Sequence, residues 1–227
     1  MPLAHGPLEK LAENLWVVRG EIPRMPIGRH MVIVRDPNTG SLFIHSAIML
    51  SDAGFRELDA LGKVQTIFVP NRFHDIDGGA MKARYPGATL CALPLVAKIV
   101  RRKFPNIEPL GSLPPSITIT RIDGLRADES VMEVQTDRGL VQVYTDAFFN
   151  LPDLPGVSGT ILKWIGSSGG FKMTRLGKIG ILCSHNEFRS FIKKQAMRRD
   201  IASIIVAHGD RVERDTSKAY THALDLL

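Results

Sequence analysis

Cysteine is scarce in this 227-residue chain, with only Cys91 and Cys183 present. Each sits in an apolar run (ATLCALP and KIGILC). The expected role is a buried, reduced thiol, which excludes a disulfide scaffold and a cysteine metal clip and points to a cytoplasmic setting. Long apolar runs are missing as well: the longest is a few residues, against about 20 for a membrane-spanning helix. The first sixteen residues, MPLAHGPLEKLAENLW, lack a basic head followed by an apolar core, so no secretory signal is expected. Aromatics are sparse at 7%, and none interleaves with the basic runs KIVRRKF (98–104) and KKQAMRR (193–199) in a way that suggests base stacking. Nucleic acid is therefore not the expected partner; solvated helix faces account for these runs. The net charge of +6 favours a small anionic ligand.

The motifs of other enzyme classes are also absent. No Gly-x-Ser-x-Gly elbow supplies a serine nucleophile, and no Gly-x-Gly-x-x-Gly marks a dinucleotide site. The stretch Ser167-Ser168-Gly169-Gly170 lacks the lysine of a phosphate loop and reads as a lid or hairpin.

What is present is an alternation of strands and helices. LWVVRG (15–20) is β-rich, and residues 30–46 form a hairpin about the turn Asp36-Pro37-Asn38-Thr39-Gly40. Ser51 is placed to cap a helix that Gly62 stops. VQTIFVP (64–70) reads as a strand buried on both faces, ending in the polar loop Asn71–Gly79. A short helix, the strand ATLCALP and a helix stopped before Pro105 follow. After a Pro/Gly-rich connection (105–116), ITITRI, MEVQTD and LVQVYTDAFF read as strands. Ser184 and Glu187 form a capping box for a helix over 187–199, and IASIIVAHGDRV is a buried strand ending in a loop before a C-terminal helix. With no repeat or linker, one domain over residues 1–227 is expected. Polar residues gather where strands end, at Asn71–Gly79, Asp146 and His208, which is where α/β folds bind ligands.

Three of these strand ends resemble the motifs of the metallo-β-lactamase superfamily. Its signature His-x-His-x-Asp-His-x-Gly-Gly follows a buried strand; here Asn71-Arg72-Phe73-His74-Asp75-Ile76-Asp77-Gly78-Gly79 follows VQTIFVP. The aspartate and the Gly-Gly pair align, while Asn71, Phe73 and Ile76 occupy the histidine positions. Tyr144-Thr145-Asp146-Ala147-Phe148-Phe149 is similar to the bridging-aspartate motif, and Ile204 to Gly209 to the terminal strand ending in His-Gly. Where a further histidine turn belongs, the chain has Thr136-Asp137-Arg138-Gly139. Pro70-Asn71-Arg72-Phe73-His74, preceded by Leu42 to Ser46, is closest to a branch carrying Pro-Asn-x-x-His in place of the metal signature.

The resemblance implies a four-layer αββα sandwich with two mixed sheets, built from residues of roughly 15–95 and 115–210, and hydrolase ancestry. A hydrolytic zinc site needs about three protein ligands and an open position. Phe73 and Ile76 offer no lone pair, so a two-metal centre is not expected, and the space beside them should be small and dry. The chain is left with Asp75, Asp146 and His208 as metal ligands, His74 and Asp77 as possible substitutes, and His74 and Asp75 as the catalytic candidates, His74 as a general base. Asn71 and Asp77 line the pocket. The expected cofactor is at most one divalent ion (Zn²⁺, Mn²⁺ or Fe²⁺) or none. The function is then a mononuclear hydrolase for a small anionic ester-like substrate, or a non-catalytic, metal-free descendant. Each residue also has a plain structural reading. Asp75 would cap the Gly78-Gly79 turn, Asp146 and His208 would pair with each other, and His45 would be a satisfied core histidine.

Overall fold

The strands of the N-terminal half are apolar on both faces, which commits them to a sheet covered on both sides. A computed structural model describes residues 3–23, 25, 27–126, 128–153, 155–156, 159–160, 163 and 166–227. The chain divides into two units, Met1–Thr118 and Ile119–Leu227.

In the first unit, strands β1 (Glu9–Ala12), β2 (Leu15–Glu21), β3 (Gly28–Arg35), β4 (Leu42–His45), β5 (Val64–Phe68), β6 (Thr89–Ala92) and β7 (Glu108–Pro109) lie side by side in that order. Pairing is antiparallel from β1 to β4 and parallel from β4 to β7. The β3–β4 hairpin closes as its turn residues dictate. Asp36 Oδ1 accepts from Asn38 N at 2.9 Å, and its Oδ2 accepts from Thr39 Oγ1 at 2.9 Å. Helices α1 (Asp52–Leu61), α2 (Gly78–Arg84) and α3 (Pro94–Val100) connect the parallel strands. Ser51 Oγ caps α1 by accepting from Gly54 N. Gly62 ends it at φ +152, where a Cβ would lie 2.1 Å from the Gly40 carbonyl oxygen. Phe55 and Leu58 of α1, Met81 of α2 and Val96 of α3 pack with Trp16, Met31, Ile33, Leu42 and Ile44 in one core. α3 stops at Val100, four residues before the Phe104–Pro105 break that the sequence suggests, and the Lys103 and Phe104 N–H groups both donate to the Val100 carbonyl.

The second unit holds β8 (Ile117–Arg121, which begins at the boundary), β9 (Ser130–Thr136), β10 (Gly139–Tyr144), β11 (Phe149–Leu151), β12 (Gly170–Lys172) and β13 (Ile201–Val206). Four form a mixed sheet in the order β13-β10-β9-β8, with β10 parallel to β13 and antiparallel to β9. β11 and β12 form a separate antiparallel pair, and β12 begins at Gly170. Helices α4 (Arg175–Gly180), α5 (His185–Met197) and α6 (Thr216–Asp225) belong to this unit. Ser184 Oγ accepts from Glu187 N to cap α5. Phe148 is the centre of this core, with ring centroids 4.6 Å from Phe171 and 5.6 Å from Phe188.

Cys183 corrects one expectation. Its segment is the end of α4 and a turn, not a buried run, and the side chain is exposed. Cys91 is buried as expected.

Candidate functional site

In the first unit, the loop after β5 is shaped by Asn71, which is completely buried. Its Oδ1 accepts from the main-chain N–H of Phe73 (2.9 Å) and of His74 (3.0 Å), an Asx turn that fixes the loop from within. That turn sends Phe73 outward: it is 60% exposed, with the Arg72 guanidinium 5.9 Å from its ring centroid, and Ile76 is 38% exposed. The expectation that these two side chains fill a small, dry cavity is therefore corrected.

His74 turns inward, and its Nδ1 lies 3.0 Å from Ser46 Oγ. Asp75 does not cap the Gly78-Gly79 turn through its carboxylate; Lys103 Nζ donates to Oδ1 at 2.8 Å and to its carbonyl at 3.3 Å. Asp77 is a structural anchor. It accepts from Arg29 Nη2, and from Met49 N at 3.0 Å. Arg29, almost wholly buried, also donates from Nη1 to the Ala47 carbonyl at 2.9 Å. A buried guanidinium needs such partners.

His45 differs from the satisfied core histidine the sequence suggests, because its buried Nδ1 has no hydrogen-bond partner. Burial, chiefly, and the neighbouring His74 lower its pKa to about 3, so the ring is neutral. Cys91 is no nucleophile: burial, then Glu108, push its thiol up to about 12.

In the second unit, the parallel strands β10 and β13 end together, since Ala207 N donates to the Tyr144 carbonyl at 2.9 Å. Asp146 and His208 follow directly, and Asp146 Oδ1 lies 3.4 Å from His208 Nε2, as two readings of the pair require. The backbone around His208 is tightly specified. Asn150 N donates to the His208 carbonyl at 3.0 Å, and the Phe149 ring stands 4.6 Å from the imidazole. Gly209 has φ +109, and a Cβ there would lie 2.2 Å from the Asn150 carbonyl oxygen, which explains why glycine follows the histidine. Thr145 Oγ1 donates to the buried Glu129 at 3.3 Å. Thr136 to Gly139 is a β9–β10 hairpin turn, closed by Thr136 Oγ1 donating to the Gly139 carbonyl.

The Asp146–His208 separation bears on metal fit. A direct hydrogen bond between such groups prefers about 2.7–3.2 Å. Two donors held about 2.0–2.1 Å from one tetrahedral ion stand roughly 3.4 Å apart. A carboxylate and an imidazole form a donor set that Zn²⁺, Mn²⁺ or Fe²⁺ accepts. The separation suits these two side chains as two of the ligands of one ion.

Solved structures match nearly the whole chain. The metallo-β-lactamase from Pontibacter korlensis aligns at TM-score 0.61 and 11% identity, covering 97% of this chain and 99% of its own. That from Erythrobacter litoralis aligns at 0.64 and 12%, covering 97% and 96%. That from Hirschia baltica aligns at 0.58 and 15%, covering 99% and 98%. The chain has the metallo-β-lactamase fold. Neither a family model nor a curated protein matches the sequence. The metallo-β-lactamase fold, with its mixed sheets and helices, is thus the class expected from the strand-end motifs. No described helix is long and apolar enough to cross a membrane.

Sequence reasoning missed Ser46 and Arg29. Ser46 lies 28 residues from His74, and Arg29 lies 48 residues from Asp77. No local pattern marks either one.

Proposed function

We propose that the protein is a hydrolase-like enzyme of the cytoplasm that holds a single divalent ion and acts on a small anionic ester-like substrate. The observation that carries this reading is the Asp146–His208 pair at 3.4 Å, at the ends of two neighbouring parallel strands. Asp146 and His208 would hold the ion. In the first unit, His74 rather than Asp75 would serve as a ligand or a base, because Asp75 is already held by Lys103. A bound divalent ion supplies Lewis acidity and a water of lowered pKa, the two needs of ester hydrolysis. Asp146 and His208 would fix the donor geometry. The net charge of +6 suits an anionic substrate.

A second reading rests on a specific observation as well. The histidine positions of the loop are Asn71, Phe73 and Ile76, and Asn71 is consumed by backbone turns. That pattern suits a metal-free, non-catalytic ligand-binding descendant of the fold. A hydrolase panel of carboxylic, phosphoric and thiol esters separates the readings, run with Zn²⁺, Mn²⁺ or Fe²⁺ on wild type, Asp146→Ala and His208→Ala. Metal-dependent turnover lost in both variants supports the enzyme. No turnover with any ion favours the descendant, and turnover unaffected by chelator counts against both readings.

A further inference from the structure

β4 and β5 are parallel neighbours, and Ser46 and the His74 loop stand at their carboxyl ends. Ser46 has φ +56, and among the described non-glycine residues only Ser46 and Asp215 have positive φ. A serine held in this costly conformation, over-determined by its surroundings, is a recurrent mark of functional sites. Its N–H donates to the Phe68 carbonyl at 3.1 Å, pinning the residue to β5, and its side chain is buried. The unusual backbone turns Oγ onto His74 Nδ1 at 3.0 Å. Asn71 Oδ1 separately fixes the His74 main-chain N–H at 3.0 Å. The imidazole is thus gripped at its backbone by one residue and at Nδ1 by another.

We infer that Ser46 is a positioning residue: its Oγ accepts the Nδ1–H of His74 and so leaves Nε2 as the nitrogen carrying the lone pair. The value of that tautomer rests on the reading of His74 as a ligand or base, since only an unprotonated nitrogen binds a metal or takes a proton. A hydrogen bond at the other ring nitrogen is the means by which proteins select the tautomer of a working histidine. Neutral imidazole in water favours the proton on Nε2, so Ser46 reverses the intrinsic preference.

The test uses the full-length, metal-free protein, with imidazole ¹⁵N spectra of wild type, Ser46→Gly and Ser46→Ala at a pH where His74 is neutral. His74→Gln assigns the resonances. Ser46→Gly is the cleaner variant, because glycine adopts φ +56 freely and the fold is kept while the hydroxyl is lost. Wild type should show the Nδ1–H form, and both variants should move to the Nε2–H form. Cobalt titration should then give a dissociation constant 10–100-fold higher for Ser46→Gly than for wild type. An Nε2–H form in wild type, or one tautomer shared by wild type and Ser46→Gly, overturns the inference. Wild type that binds no cobalt but shows the Nδ1–H form, released in Ser46→Gly, overturns the metal reading and leaves the role of Ser46 standing.

Discussion

Replacing His45 by phenylalanine should flatten the acid dependence of stability. The imidazole is buried beside Phe68, with ring centroids 5.7 Å apart, and its Nδ1 has no partner. Desolvation first, and then His74, lower its pKa from 6.5 to about 3. Above pH 6.5 the ring is neutral in both folded and unfolded chains, and the stability is fully present. Below 6.5 the unfolded chain takes up a proton that the folded protein refuses, so stability falls with pH until about 3. Each pH unit in that window costs about 1.4 kcal/mol, roughly 5 kcal/mol over the whole of it and about 2 kcal/mol between pH 6.5 and 5. Phenylalanine has no proton to take up and removes an unpaired buried nitrogen. The assay is urea unfolding of wild type and His45→Phe at half-unit steps from pH 8 to 5. At pH 8 the two should differ by at most about 1.5 kcal/mol, as similar-volume core swaps do. At pH 5 the balance should have moved toward the variant by about 2 kcal/mol. Parallel curves across this range would refute the reasoning, because they would mean that His45 charges as readily folded as unfolded.

Two further outcomes follow from the same geometry. Arg29→Met strips the Asp77 carboxylate of its buried cation and should cost about 3 kcal/mol in denaturant unfolding, part of which Asp77→Leu added on top should restore. In native protein at pH 8, a disulfide reagent should titrate one thiol, the exposed Cys183. Cys91, held near a pKa of about 12, should react only after unfolding, and two rapid equivalents in native protein would contradict its burial.

Features set by neighbours in sequence were legible in it. Ser51 and Gly62 bound α1, Ser184 starts α5, and the Asp36–Gly40 turn closes its hairpin, because each acts over two to four residues. The candidate pair Asp146 and His208 was legible too, since each ends a strand of recognisable pattern. The loop at Asn71–Gly79 was harder. Its residue types suggested apolar filling at Phe73 and Ile76, but a buried amide that takes two backbone N–H groups sets the direction of the turn, and both side chains face outward. The same holds for Asp75 and Asp77, whose cations come from Lys103 and Arg29, far along the chain. Cys183 misled because the apolar residues around it belong to the end of a short helix and a turn, where apolar composition does not ensure burial.

The measurement that bears most directly on the account is metal stoichiometry. Purified protein, stripped by chelator and dialysed against Zn²⁺ or Co²⁺, is weighed for bound metal by elemental analysis beside Asp146→Ala and His208→Ala, with circular dichroism confirming that all three are folded. The 3.4 Å Asp146–His208 pair predicts one equivalent in wild type and next to none in either variant. Two equivalents in wild type, or one equivalent retained by both variants, would contradict it.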